Sequence, residues 1–137
     1  MRANLAASMS ACDLRLRLHG GEPSWRATRY PGVFWVPLEI ASADGMQDSA
    51  ALIRMDPACG YPAHRHVGVE DVLVLQGGYR DELGVHGAGS FIRYAAGSRH
   101  APIALGDAAR PVNEENPACV LFAIARGGVE LEGAPRT

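Results

Sequence analysis

The chain contains no lysine: its 13 basic residues in 137 are all arginine. We read that bias as base composition and attach no function to it. Net charge is −2 with both signs mixed along the chain. No block of basic residues stands out, which argues against nucleic acid or an anionic membrane surface as a partner. Cysteine is scarce. Cys12, Cys59 and Cys119 are odd in number and have no close pairing, so neither a disulfide framework nor a cysteine zinc knuckle is expected. Reduced thiols and a cytoplasmic location fit that usage. No apolar run reaches the length of a membrane-spanning helix. The opening stretch, MRANLAASMSAC, has an apolar part too short and interrupted for a secretory or lipoprotein signal.

What the chain does have is apolar residues (47%) and many turn formers, 16 Gly and 9 Pro. Its length suits one domain with one core. The pattern predicts short strands punctuated by turns. Residues 13–19 alternate apolar and polar. Residues 33–40 read as a strand at an edge or bulge because of Pro37, and 50–55 as another. Residues 71–76 are apolar on both faces and predict a central strand covered on both sides. Residues 79–81 and 84–86 predict a hairpin, 90–94 and 100–104 two further strands, and 118–126 the most apolar strand of all. Residues 105–117 read as a loop. Roughly ten short strands with no βαβ alternation imply an all-β sandwich or barrel. The boundaries expected are an N-terminal arm at 1–12, one domain at 13–132 and a tail at 133–137.

Of five histidines, three fall into one pattern with a carboxylate: His64, His66, Glu70 and His100. Side chains two residues apart on a strand share a face, so His64 and His66 point the same way. Glu70 follows at another even step and can return to the same interior through extended chain or a compact turn. Imidazole and carboxylate inside an apolar core are costly without partners or a metal. Three imidazoles and a carboxylate suit a first-row divalent ion.

These residues carry a resemblance. Ala58-x5-His64-x-His66-x3-Glu70-x6-Gly77 resembles the first cupin motif, and Gly89-x5-Ala95-x-Gly97-x2-His100 the second. The stretch from Asp56 to Pro102 is similar to the single-domain ChrR-like cupins. Three positions depart from the pattern: Ala58 where Gly is usual, Ala95 where Pro is usual and Ala104 where Asn is usual. They shape turns and leave the ligand set intact. The resemblance implies a cupin jelly roll with one divalent ion (Fe, Zn, Ni or Mn) held by His64, His66, Glu70 and His100. It also implies a homodimer. No histidine-cysteine module precedes the motif, so the anti-sigma role found among such cupins is not expected.

Two functions from different classes follow. The favoured one is a non-haem metal-dependent dioxygenase, with Fe(II), acting on a small dicarbonyl or hydroxyketone. The other is a non-catalytic zinc-binding sensor or small-ligand-binding module. Four protein ligands close a tetrahedral zinc site but leave two positions open on an octahedral ion. A non-redox isomerase or lyase ranks last, since no general base is evident beyond the ligands. Glu70 has a second reading, as a hydrogen-bond partner of a ligating histidine. His19 and His86 read as surface residues, Arg93 as a solvated or salt-bridged side chain, and Asp81-Glu82 as a hairpin cap with no chemical role. Tyr79, Phe91, Tyr94, Phe34 and Phe122 read as core before pocket lining. The cysteines read as inert, with Cys59 the one nearest the site.

Overall fold

The structure is a computed structural model and describes residues 25–38, 40 and 48–132. The expected arm, the strand at 13–19, His19, Cys12 and the tail lie outside these residues. Among the described residues there are twelve strands and no helix. In chain order they are β1 (Arg26–Ala27), β2 (Val33–Leu38), β3 (Ser49–Met55), β4 (His64–His66), β5 (Glu70–Gln76), β6 (Gly78–Asp81), β7 (Gly84–Gly87), β8 (Phe91–Tyr94), β9 (Arg99–His100), β10 (Ile103–Ala104), β11 (Cys119–Ala125) and β12 (Val129–Leu131). They form a six-stranded sheet in the order β1-β2-β3-β11-β5-β8 and two three-stranded sheets, β10-β6-β7 and β12-β4-β9. Every pairing is antiparallel. This is the all-β sandwich that short strands and frequent turns predict.

The core is made by period-two alternation. β5 buries Glu70, Val72, Val74 and Gln76 while the residues between them stay half-buried. It was expected to be covered on both faces. Its outer face is instead only partly covered, and there Asp71 receives both Arg93 Nε (2.8 Å) and Nη2 (2.9 Å). β11 sits between β3 and β5 and is buried over most of its length. Val33, Met55, Val72, Val74, Tyr79, Tyr94, Cys119 and Leu121 pack together at its centre.

Pro37 stands opposite Ala51 on β3, while β1 pairs only with Phe34 and Trp35 on the other side of β2. The missing N–H of proline therefore costs β2 no ladder bond to β1. The predicted strand at 100–104 is split in two, with Ala101-Pro102 between β9 and β10. The two strands bound different sheets. The loop at 105–117 is organised by one buried amide. Asn116 Nδ2 donates to the carbonyls of Asp107 (2.9 Å), Pro111 (3.2 Å) and Arg110 (3.3 Å), and its Oδ1 accepts from Asp107 N (2.9 Å). Neither β1 nor β12 is legible in the sequence; β1 has two residues and β12 three.

Candidate metal centre

β4 and β9 lie side by side with His64 directly opposite His100. His66, two residues on, points into the same interior, and Arg65 between them faces outward to Glu130 at 3.2 Å. The chain then bends at 67–69 and crosses to the large sheet, where Glu70 opens β5. Gly68 permits that crossing, because a Cβ there would collide with the Arg126 carbonyl. The expected even-step geometry therefore holds for the histidine pair. Glu70 reaches the same interior from the opposing sheet.

All four side chains are buried, with His66 at 0% exposure and Glu70 at 7%. One ligand atom from each lies within 4.8 Å of all the others. The hydrogen bonds around the rings determine which nitrogen each presents. His64 Nδ1 donates to the Pro62 carbonyl at 2.9 Å, and a carbonyl can only accept. The Ser98 hydroxyl gives its single proton to the Ala95 carbonyl (2.6 Å), so it accepts from His66 Nδ1 at 2.9 Å. His100 Nδ1 donates to Asp81 Oδ2 at 2.9 Å. We infer from these partners that each ring carries its proton on Nδ1 and turns a bare Nε2 lone pair inward.

Those three lone pairs converge. His64 Nε2 and His100 Nε2 are 2.9 Å apart, and His66 Nε2 is 3.3 Å from Glu70 Oε1. His66 Nε2 is fully buried and has no hydrogen-bond partner among the described residues. A fully buried nitrogen without a partner, beside two opposed lone pairs and a carboxylate, is a donor set short of a cation. The residues fit a divalent metal, and their chemistry is that of an N3O centre.

Burial pushes His64 below its ordinary pKa of 6.5, helped by the neighbouring imidazoles and opposed by Pro62 and Glu70. Burial likewise lowers His100, against the pull of Asp81. Both are therefore held neutral, the state a metal requires.

Asp81 plays a larger part than its sequence context suggested. It does cap the hairpin, accepting from Leu83 N at 2.9 Å. Its fully buried carboxylate also accepts from Tyr94 Oη (2.6 Å), His86 Nε2 (2.8 Å) and His100 Nδ1 (2.9 Å). Burial alone would raise its pKa, but these four donors outweigh it and bring the group down to about 2. Because Tyr94 donates to Asp81, Tyr79 donates in turn to Tyr94, at 2.6 Å. His86 is correspondingly no surface residue, with a side chain only 13% exposed. Nothing in the local sequence distinguishes Asp81 or His86 from ordinary turn residues; the pairing of β6 with β7 brings the two together, and His100 meets Asp81 from β9 of another sheet. Arg93 lies outside, as expected, and Cys59 has its thiol pKa raised by burial and by Asp56.

A cavity of about 380 Å³ opens beside the cluster and touches His64, Glu70 and His100. Its walls come from β2, β3, β5, β11 and β12, with Tyr61, Thr28 and Arg29 also bordering it. Tyr79 is the one residue of the sequence-selected aromatics that reaches it. Phe91 is 64% exposed and Phe34 lies under Arg54.

Residues 15–110 match the ChrR cupin-like domain family. The chain belongs to that family. As a cupin it is similar to a chain of the complex between SigE and the anti-sigma ChrR from Rhodobacter sphaeroides. Identity is 29% and the TM-score 0.60, over 76% of this chain and 49% of that one. The cupin thus spans about half the length of that relative. It is similar to an RmlC-like cupin from Ralstonia eutropha JMP134 (24% identity, TM-score 0.62, 87% of this chain and 73% of that one). It shares its fold with an acetylacetone dioxygenase from Acinetobacter johnsonii (12% identity, TM-score 0.65, 81% of this chain and 73% of that one). No curated protein matches it significantly in sequence. Among the described residues no helix is long and apolar enough to cross a membrane.

Proposed function

We propose that this cupin is a metal-dependent dioxygenase that cleaves a small dicarbonyl or hydroxyketone. In this reading His64, His66, Glu70 and His100 hold one divalent ion, Fe(II) foremost. The carrying observation is the convergence of three bare Nε2 atoms and one carboxylate at the wall of a cavity large enough for a ligand. When bound, such an ion supplies Lewis acidity toward a chelating oxygen pair and electrons toward dioxygen. The chain's own residues supply the rest. Pro62, Ser98 and Asp81 hold the three imidazoles in one tautomer. Glu70, the one carboxylate of the four and the one that comes from the opposing sheet, is either a fourth ligand or a gate. A cytoplasmic homodimer built on one domain at 13–132 belongs to the same reading. Unpaired edges at β1 and β8 among the described residues support sheet extension between protomers.

The test is metal content of protein purified without chelators, then oxygen uptake after anaerobic loading with Fe(II) and addition of a β-diketone. Substrate-dependent uptake supports the dioxygenase. Tightly held zinc with no uptake even after iron loading overturns it in favour of a zinc-bound sensor or ligand-binding module. That second reading is favoured by the family match and by the 29% identity to a chain of the ChrR complex.

A further inference from the structure

We infer that the ligand of this cavity carries a hydrocarbon body, about the size of a ring, lying over Ala51 and Ala123. These two alanines then decide which ligands are accepted. The inference rests on the reading above for the ligand's chelating head and is independent of it for the body.

The inward faces of β3, β11 and β5 are arranged in rows across the sheet. One row places Ile53 opposite Leu121, which stands opposite Val74. The next joins Ala51, Ala123 and Val72, and the one after joins Ser49, Ala125 and Glu70. Side-chain volume therefore drops abruptly in the two rows nearest the metal centre. Alanine is a poor strand former and contributes little packing, so facing alanines on central strands are not what sheet stability selects. Interiors are close-packed, and small residues facing each other leave a void unless the opposite wall fills it. Here the opposite wall is β12, whose Val129 and Leu131 stand in register with His66 and His64. Val129 and Leu131 line the cavity from their side and Ala51, Ala123 and Ala125 from the other.

The hollow is thus contiguous with the cluster, since Glu70 closes its last row. At about 30 Å³ for each water-sized group, the 380 Å³ cavity holds on the order of a dozen heavy atoms. A two-oxygen head uses only part of that. The remainder is walled mostly by apolar side chains, aliphatic from β3, β11 and β12 and aromatic from Trp35 and Tyr61, which favour carbon over water.

The test compares two β-diketones with the same chelating head, acetylacetone and benzoylacetone, titrated calorimetrically into Fe(II)-loaded protein under argon. Butyrophenone, with a phenyl ring but one carbonyl, is titrated in parallel. Wild type is expected to bind benzoylacetone about ten-fold or more tighter than acetylacetone, as filling an apolar pocket typically gives. Ala123→Leu is expected to collapse that ratio toward one at wild-type metal content. Ala51→Ile, whose β-branched side chain suits a strand, is the second variant should the first fail to fold. Equal affinities in wild type, or a ratio preserved in both variants, overturns the inference. If metal binds and neither diketone does, yet butyrophenone binds wild type and not Ala123→Leu, the chelation reading fails while the hydrocarbon body stands. If butyrophenone and benzoylacetone both fail to bind, the body is overturned as well.

Discussion

Nε2 of His64 and Nε2 of His100 face each other across 2.9 Å, although each ring already spends its only proton on the far side, at Pro62 and Asp81. Two lone pairs so placed repel unless a cation lies with them. A metal there ties β4 and β9 of one sheet to Glu70 of another. Chelation should therefore lower thermal stability, and added metal should restore it saturably. At a free concentration a hundred times Kd the expected gain is about 2.7 kcal/mol. His66→Ala removes the fully buried unpartnered nitrogen and should abolish the metal-dependent shift. Differential scanning calorimetry with and without chelator reads this, and a melting temperature indifferent to both metal and His66→Ala contradicts it.

Asp81 holds the His100 proton on Nδ1 and leaves Nε2 bare, so in the proposed centre it is a positioning residue that touches no donor atom. In Asp81→Asn the amide can turn its NH2 toward His100 Nδ1, which then must accept and carry its proton on Nε2. Metal affinity should fall about 10–100-fold, the usual effect of losing such a partner. Chelator competition measures the affinity, and nitrogen NMR of the metal-free protein reads the tautomer. Affinity within error of wild type with Nδ1 still protonated would show that Asp81 is only a turn residue.

Tyr94→Phe probes the same network from the other end. It deprives Asp81 of one donor and leaves the buried Tyr79 hydroxyl without its acceptor. The expected loss is about 1–3 kcal/mol of unfolding free energy, the penalty for an unsatisfied buried polar group. Urea denaturation measures it. Tyr79→Phe added to Tyr94→Phe should recover part of the loss, because it removes the orphaned hydroxyl.

Acid should weaken the metal-free protein. His64 and His100 are held below their ordinary value of 6.5 in the fold. Between those lowered values and 6.5 the unfolded chain binds protons that the folded chain refuses. Unfolding free energy therefore rises with pH across that window and falls as pH drops below about 6.5. Asp81 acts in the same direction at lower pH: its contribution is present above its ordinary 3.8 and is lost as pH falls toward about 2. Melting temperatures should be level from about pH 8 to 7 and decline below about 6.5. A flat profile down to pH 5 would mean that the imidazoles are not held neutral.

The candidate cluster was legible in part because its signal is local: period-two spacing puts His64 and His66 on one face, while Glu70 and His100 were joined to them by the cupin resemblance. Strands β3, β5 and β11 were legible for the same reason, being long enough for alternation to register. Asp81, His86, Tyr94 and Ala123 were not. Their roles arise from pairings between β6 and β7, β5 and β8, and β3 and β11. An aspartate before a turn looks the same in sequence whether it caps a hairpin or also carries a histidine. Strand β12 escaped because Val129-Glu130-Leu131 is too short to show a period, yet its register with β4 forms one wall of the cavity.

Ala58 shows how a departure from a family pattern becomes a physical prediction. It stands where the first cupin motif usually has glycine, and its φ is 63°, the one positive value outside glycine among the described residues. The turn around it is closed by Cys59 N donating to the Asp56 carbonyl (2.9 Å) and Ala58 N donating to Ala104 (3.2 Å). A left-handed conformation costs a residue with a Cβ about 1–2 kcal/mol. Glycine returns roughly 0.4–1 kcal/mol of that through its freer unfolded chain. Ala58→Gly should therefore stabilise the protein by up to about 1.6 kcal/mol. The urea midpoint should rise with an unchanged m-value, since the exposed surface is the same. Ala58→Val, with a branched Cβ in the same conformation, should move the midpoint the other way. A lowered midpoint for Ala58→Gly would mean that the alanine methyl contributes more to packing than its backbone strain costs.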